Sequence, residues 1–252
     1  MSSEAGTQQG CPLGALLFCL VLDVLVGKIA VACPGLDLNN WYMDNGSIIG
    51  DKADVLRAYE IISTYGPPLG LHLNPTKCEL VWCTGRAPLD DPFPHNIARY
   101  RGTNLDMLGA AIGDEMHCCD WVGKKVTKKA VPVLDNLSLL EDPQTEFILL
   151  NYCINFCRMV FFIRTTPSHL IQAATLQYDT LVLRALERMV GRSIGDPAVS
   201  RAVLSIKNGG LGIRSSTAHS TAAYISSFNT CWQLVGAMMS GPPSVETLTP
   251  VS

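Results

Sequence analysis

The pattern of apolar residues changes character near residue 114, and that change constrains the fold more than any single motif. Before it, helix-period and strand-period segments follow one another; beyond it, only helical periodicity remains. We therefore expect an α+β region over 1–113, an all-helical region over 114–240 and a disordered tail over 241–252. In the first region, Pro12 suits the opening of a helix running to about Ala32, stopped by Cys33-Pro34-Gly35. Two β-favouring runs flank Asp44-Asn45-Gly46 and predict a hairpin with the Asp44 carboxylate exposed at or beside its turn. Val55, Leu56, Tyr59 and Ile62 mark an amphipathic helix over 51–65. Residues 71–73 and 78–83 read as strands around the turn Asn74-Pro75-Thr76-Lys77, 85–102 as a loop, and 105–112 as a strand pair. The second region predicts a broken helical stretch over 121–140 and a long helix over 145–163. A helix capped by Thr166 and opened by Pro167 should end at Gly191, and a last helix should cover about 215–239.

Two apolar runs, 13–33 and 147–163, invite a membrane reading. Asp23 and Lys28 interrupt the first, and Asn151, Asn155 and Arg158 the second, so both are expected to be buried helices. Ten cysteines are scattered without a C-x-x-C pair, which fits free thiols, no disulfide-linked partner and a reducing compartment, cytoplasmic or nuclear. A net charge of −3 lacks the strongly basic balance of an autonomous nucleic-acid binder, so any such contact must come from local patches.

Four segments in order carry a resemblance. Gly6-Thr7-Gln8-Gln9-Gly10-Cys11-Pro12-Leu13 comes first, followed by Trp41-Tyr42-Met43-Asp44-Asn45-Gly46. Then come Gly70-Leu71-His72-Leu73-Asn74-Pro75-Thr76-Lys77 and Leu108-Gly109-Ala110-Ala111-Ile112-Gly113. Together they resemble the reverse transcriptase domain of non-LTR, LINE-like retrotransposons, whose motifs are written GxQQG[DS]PL, YxDD, GL.LN..K and LG..IG. The resemblance implies a partial right-hand polymerase palm followed by a helical thumb. It also implies two-metal nucleotidyl transfer with Mg²⁺, an RNA template, a DNA primer and dNTPs as partners, and no membrane. By this resemblance Asp44 is a metal ligand, Asn45 stands where the family has a second aspartate, and Lys77 matches a lysine that serves the departing pyrophosphate. Gln9, Gly10 and Tyr42 would line the nucleotide and template pocket, and Cys11 stands where Asp or Ser is usual.

The family's first catalytic aspartate lies on a strand upstream of the glutamine-glycine motif, and Met1 falls only a few residues before that motif. The expectation is therefore an N-terminally truncated polymerase fragment, inactive as an isolated chain. Two alternatives stay open: an active polymerase completed by upstream sequence or a partner chain, and a non-enzymatic helical interaction module using the apolar helices from Thr145 onward. Two basic stripes could follow a nucleic-acid backbone or simply be solvated helix faces. They are Lys124, Lys125, Lys128 and Lys129, and Arg184, Arg188 and Arg192 at i, i+4, i+8.

Overall fold

A computed structural model describes residues 6, 10–83 and 90–238. It mixes helix with three two-stranded sheets, an α+β arrangement. The chain divides into two compact units, Met1–Gly102 with Gln233–Ser252, and Thr103–Trp232.

In the first unit, helix α1 (Gly14–Ala32) places Leu22, Leu25 and Ile29 on one buried line. The strand pair β1 (Leu38–Tyr42) and β2 (Asn45–Ile49) and helix α2 (Lys52–Tyr65) supply its neighbours. Those neighbours cover one side only. Leu16, Leu20, Val24 and Val31 remain exposed, Val31 by 84%, which corrects the expectation of a buried helix. A helix apolar on every side needs partners on every side, and α1 lacks them among the described residues.

The β1–β2 register pairs Tyr42 with Asn45 and Trp41 with Gly46, so the two-residue loop is Met43-Asp44 rather than one centred on Asn45-Gly46. Met43 takes φ +55 and is the loop's left-handed residue, as in a type II′ turn. Gly46 is required where it is: a Cβ there would stand 2.6 Å from the Trp41 ring lying across it. Ala58 and Ile62 turn α2 toward α1, and Gly66 ends it where a Cβ would meet the Leu71 carbonyl oxygen at 2.5 Å.

Residues 71–73 form no strand. The Leu71 amide is bonded back to the Gly66 carbonyl (3.0 Å), while Leu71 and Leu73 reach the core formed by Leu25, Ile29, Cys33, Ala58 and Ile62. Strand β3 (Glu79–Trp82) pairs instead in parallel with β4 (Ala98–Arg101), inside the stretch expected to be loop. Arg99 explains the order there. Its guanidinium donates to the Asp91 carboxylate (2.6 Å) and to the carbonyls of Phe93, Pro94 and Ile97, tying 91–97 into one turn.

The second unit opens with the hairpin β5 (Leu105–Met107) and β6 (Ala110–Ile112), as the sequence predicts. Helix α3 (Glu115–Leu137) follows, its first turn capped by Asp114, which accepts from the His117 amide at 2.8 Å. The break expected over 121–140 falls only at its end, where α3 gives way to a 3-10 turn at Ser138–Leu140. Pro132 sits inside α3, and Cys118, Val122, Val126, Ala130 and Leu134 continue one buried line past it. That packing offsets the hydrogen bond the proline removes, a loss worth about 3 kcal/mol in an isolated helix interior.

The segment expected as one helix is broken into α4 (Pro143–Leu149), a π-turn at Leu150–Ile154, a 3-10 turn at Phe156–Arg158 and α5 (Val160–Thr165). Thr166 is buried with its hydroxyl unpaired rather than capping a helix. A 3-10 turn at Ser168–Ile171 intervenes before α6 (Gln172–Val190). Gly191, at φ +70, ends α6; its amide reaches the Arg188 carbonyl and the Arg192 amide the Glu187 carbonyl, a Schellman closure. Helix α7 (Asp196–Ala202) and helix α8 (Ser216–Met238) complete the order. The Asp179 carboxylate on α6 accepts from the Ser216 and Thr217 amides at 2.7 and 3.0 Å, so a neighbouring helix supplies the α8 cap. By length and apolarity alone, Gly14–Ala32 and Pro143–Thr165 could each cross a membrane, a test that core helices also pass.

Candidate functional site

The hairpin tip is held from below by α1. Met43 Sδ lies 3.8 Å from the Cys19 thiol, and the Asn39 side chain donates to the Val26 carbonyl at 3.5 Å. Asn39 also accepts from the Trp41 indole (2.8 Å), which places that ring over Gly46. Sequence therefore fixes the tip twice, through a ring packed on a glycine and through polar anchors to the helix. Asp44 is consequently exposed, its Oδ1 accepting only from Asn45 Nδ2 at 3.4 Å. Tyr42 is exposed by 68% at the end of β1.

Lys77 occupies a 3-10 turn, Pro75–Lys77, that Asn74 organises by accepting from the Thr76 amide and hydroxyl at 3.2 and 2.7 Å. Its ammonium is exposed and forms no ion pair with a described residue. Gly10 is exposed at φ +95, and Gln9 lies outside the described residues, as does the tail expected over 241–252.

These residues do not fit a two-Mg²⁺ centre. Mg²⁺ requires near-octahedral oxygen coordination, and two ions need several carboxylates between them. Asp44 and Asn45 offer one carboxylate and one amide, and no group of three His, Cys, Asp or Glu side chains converges among the described residues. Cys153 and Cys157 are exposed free thiols, and burial pushes the Cys118 thiol above its ordinary value.

The basic stripes separate by environment. Lys124, Lys128 and Lys129 are exposed on α3 without an ion pair to a described residue, while the Lys125 ammonium lies 4.8 Å above the Trp121 ring. Arg188 is committed to structure: Nη2 donates to the Leu134 carbonyl at 2.9 Å and Nη1 meets Asp135 at 3.5 Å. Arg184 is exposed on α6, but Arg192 lies beyond Gly191, so the three arginines do not share one helical line. Comparison with protein-family models, curated proteins and solved structures gave no match.

A second constellation surrounds the π-turn and escapes sequence reasoning. Tyr178, buried on α6, donates its hydroxyl to the carbonyls of Ile154 and Asn155. Burial first, and the neighbouring Cys157 next, push this phenol well above its ordinary value. Asn155 Nδ2 bridges Asn151 Oδ1 (3.1 Å) and the Gly212 carbonyl (3.2 Å). The only signal in the sequence was the pair of asparagines interrupting an apolar run, four residues apart.

Proposed function

We propose that these 252 residues form the hairpin-bearing and thumb-like part of a retrotransposon RNA-directed DNA polymerase, inactive as an isolated chain. The observation that carries the reading is a shared core. The helix after Gly10, the Trp41–Gly46 hairpin and the Leu71–Lys77 segment resemble three successive polymerase motifs, and Leu25, Ile29, Trp41, Leu71 and Leu73 from them pack together. Packing of successive motifs on one core is what the resemblance requires of a palm. In this reading Asp44 and Asn45 mark the hairpin position of the family's aspartate pair without completing a metal site, Lys77 offers a positive charge next in the motif order, and the exposed lysines of α3 track a phosphate backbone.

A second reading, a polymerase completed by further chain or a partner, is favoured by the uncovered apolar side of α1. Two measurements separate these. Anisotropy of a labelled primed RNA–DNA duplex should report binding whose log K falls linearly with log salt. Absence of salt-dependent binding would sink both polymerase readings and leave a docking module. Primer extension with Mg²⁺ and dNTPs should give no product from the fragment; product that disappears in Asp44→Ala would establish the completed enzyme instead.

A further inference from the structure

The broken segment between α4 and α5 shapes a cleft. At Leu150–Ile154 the helix widens into a π-turn, a geometry that recurs at functional sites. Asn155 then leaves helical space altogether, at φ −37 and ψ −134. Two cross-links hold this irregular backbone against the 211–212 loop: Asn151 to the Leu211 carbonyl and Asn155 to the Gly212 carbonyl. Between them lies a cavity of about 700 Å³, within the range of small-molecule sites.

Its lining defines a ligand. No Asp or Glu contributes to the wall, while Arg214 does, so the site favours an anion. The Arg214 guanidinium sits 5.8 Å from the Phe156 ring centre, and the His219 ring packs edge-on against the same ring at 5.1 Å. His219 Nδ1 lies 2.8 Å from the Ser215 carbonyl, which can only accept, so Nδ1 carries the hydrogen and Nε2 is left as an acceptor for a ligand N–H or O–H. Val160, Val203 and Ile206 give apolar walls suited to a flat body. Asn155, 98% buried at the cleft wall, keeps Oδ1 without a donor among the described residues. A buried acceptor left empty is costly, and an N–H or O–H donor would satisfy it.

We propose that this cleft binds a nucleoside monophosphate: a flat heteroaromatic ring with an N–H donor for Asn155, one anionic group for Arg214, and a ribose hydroxyl that donates to His219 Nε2. The site lies wholly in the helical unit and does not rest on the polymerase reading of the hairpin.

Calorimetric titration of the full chain with AMP, CMP, GMP and UMP tests it, with adenosine and inorganic phosphate as partial probes. The expected result is saturable one-to-one binding of at least one nucleotide, weakened about tenfold or more in Arg214→Ala. Ile206→Trp, which fills the cleft from an exposed position, should abolish binding while leaving the circular dichroism unchanged. Three results would overturn the proposal: no saturable binding, phosphate or adenosine binding as tightly as the nucleotide, or no effect of either cleft variant.

Discussion

The helical unit gathers nineteen buried side chains into one cluster, whereas the hairpin unit gathers five, among the described residues. The difference is one of partners rather than of apolar content. Helix α3 and helix α6 are in contact, and each carries a buried i, i+4 line: Cys118, Val122, Val126, Ala130 and Leu134 on α3, and Ala174, Tyr178, Val182 and Leu186 on α6. Helix α1 is more apolar than either, yet it turns one line inward and leaves Leu16, Leu20 and Val24 in solvent. Apolar sequence creates a demand for burial, and only a neighbouring element can meet it.

The comparison breaks most sharply under buried charge. Val122→Asp places a carboxylate at a position with no exposure and should cost more than about 4 kcal/mol, enough to melt the helical unit in a circular-dichroism titration. Leu20→Asp, at a position 59% exposed, should leave stability unchanged within about 0.5 kcal/mol and raise solubility. If Leu20→Asp unfolds the chain, the side of α1 described as open is in fact covered.

Equal deletions sharpen it next. Leu150→Ala in the dense cluster should cost about 3–5 kcal/mol and Leu25→Ala about 2–3, because a sparse core relaxes around the lost volume. Denaturant midpoints at constant m-value measure both.

Acid should act more gently on the hairpin unit. The Arg99 hydrogen bond holds the Asp91 carboxyl below the ordinary carboxylate range. A depressed folded value means the stabilisation is present above the unfolded value near 3.9 and is lost as pH falls through the folded one. Thermal midpoints should therefore drop below about pH 4, and Asp91→Asn should flatten that part of the profile. Smallest of all, Met43→Gly should change stability by less than about 1 kcal/mol, since relief of the positive-φ strain is offset by loss of the Met43–Cys19 contact.

Much of this was legible beforehand where local chemistry decides. Gly191 after the last periodic residue of α6, and the short pair at 105–112, needed only turn and capping rules. The hairpin was legible as a hairpin but not in register, because Asn45-Gly46 is the stronger turn signal and Trp41 instead requires Gly46 within the strand. The β3–β4 pairing was hidden because parallel strands are joined by a long connection and its organiser, Arg99, acts through tertiary bonds. Exposure of α1 could not be read at all, since periodicity reports which residues are apolar and not what lies beside them. Of the candidate site, Asp44 and Lys77 were placed by motif, whereas the π-turn and its cleft depend on Tyr178 and Gly212, distant in sequence.

The central proposal is that the cationic face of α3 follows a nucleic-acid backbone. The most direct measurement compares the salt dependence of RNA–DNA duplex binding for the parent chain and for a variant with Lys124, Lys125, Lys128 and Lys129 all changed to Gln. The account predicts tight parent binding at low salt and a slope of log K against log salt shallower by about 3–4 in the variant, roughly one per lost phosphate contact. An unchanged slope, or a parent chain that does not bind the duplex, would contradict it.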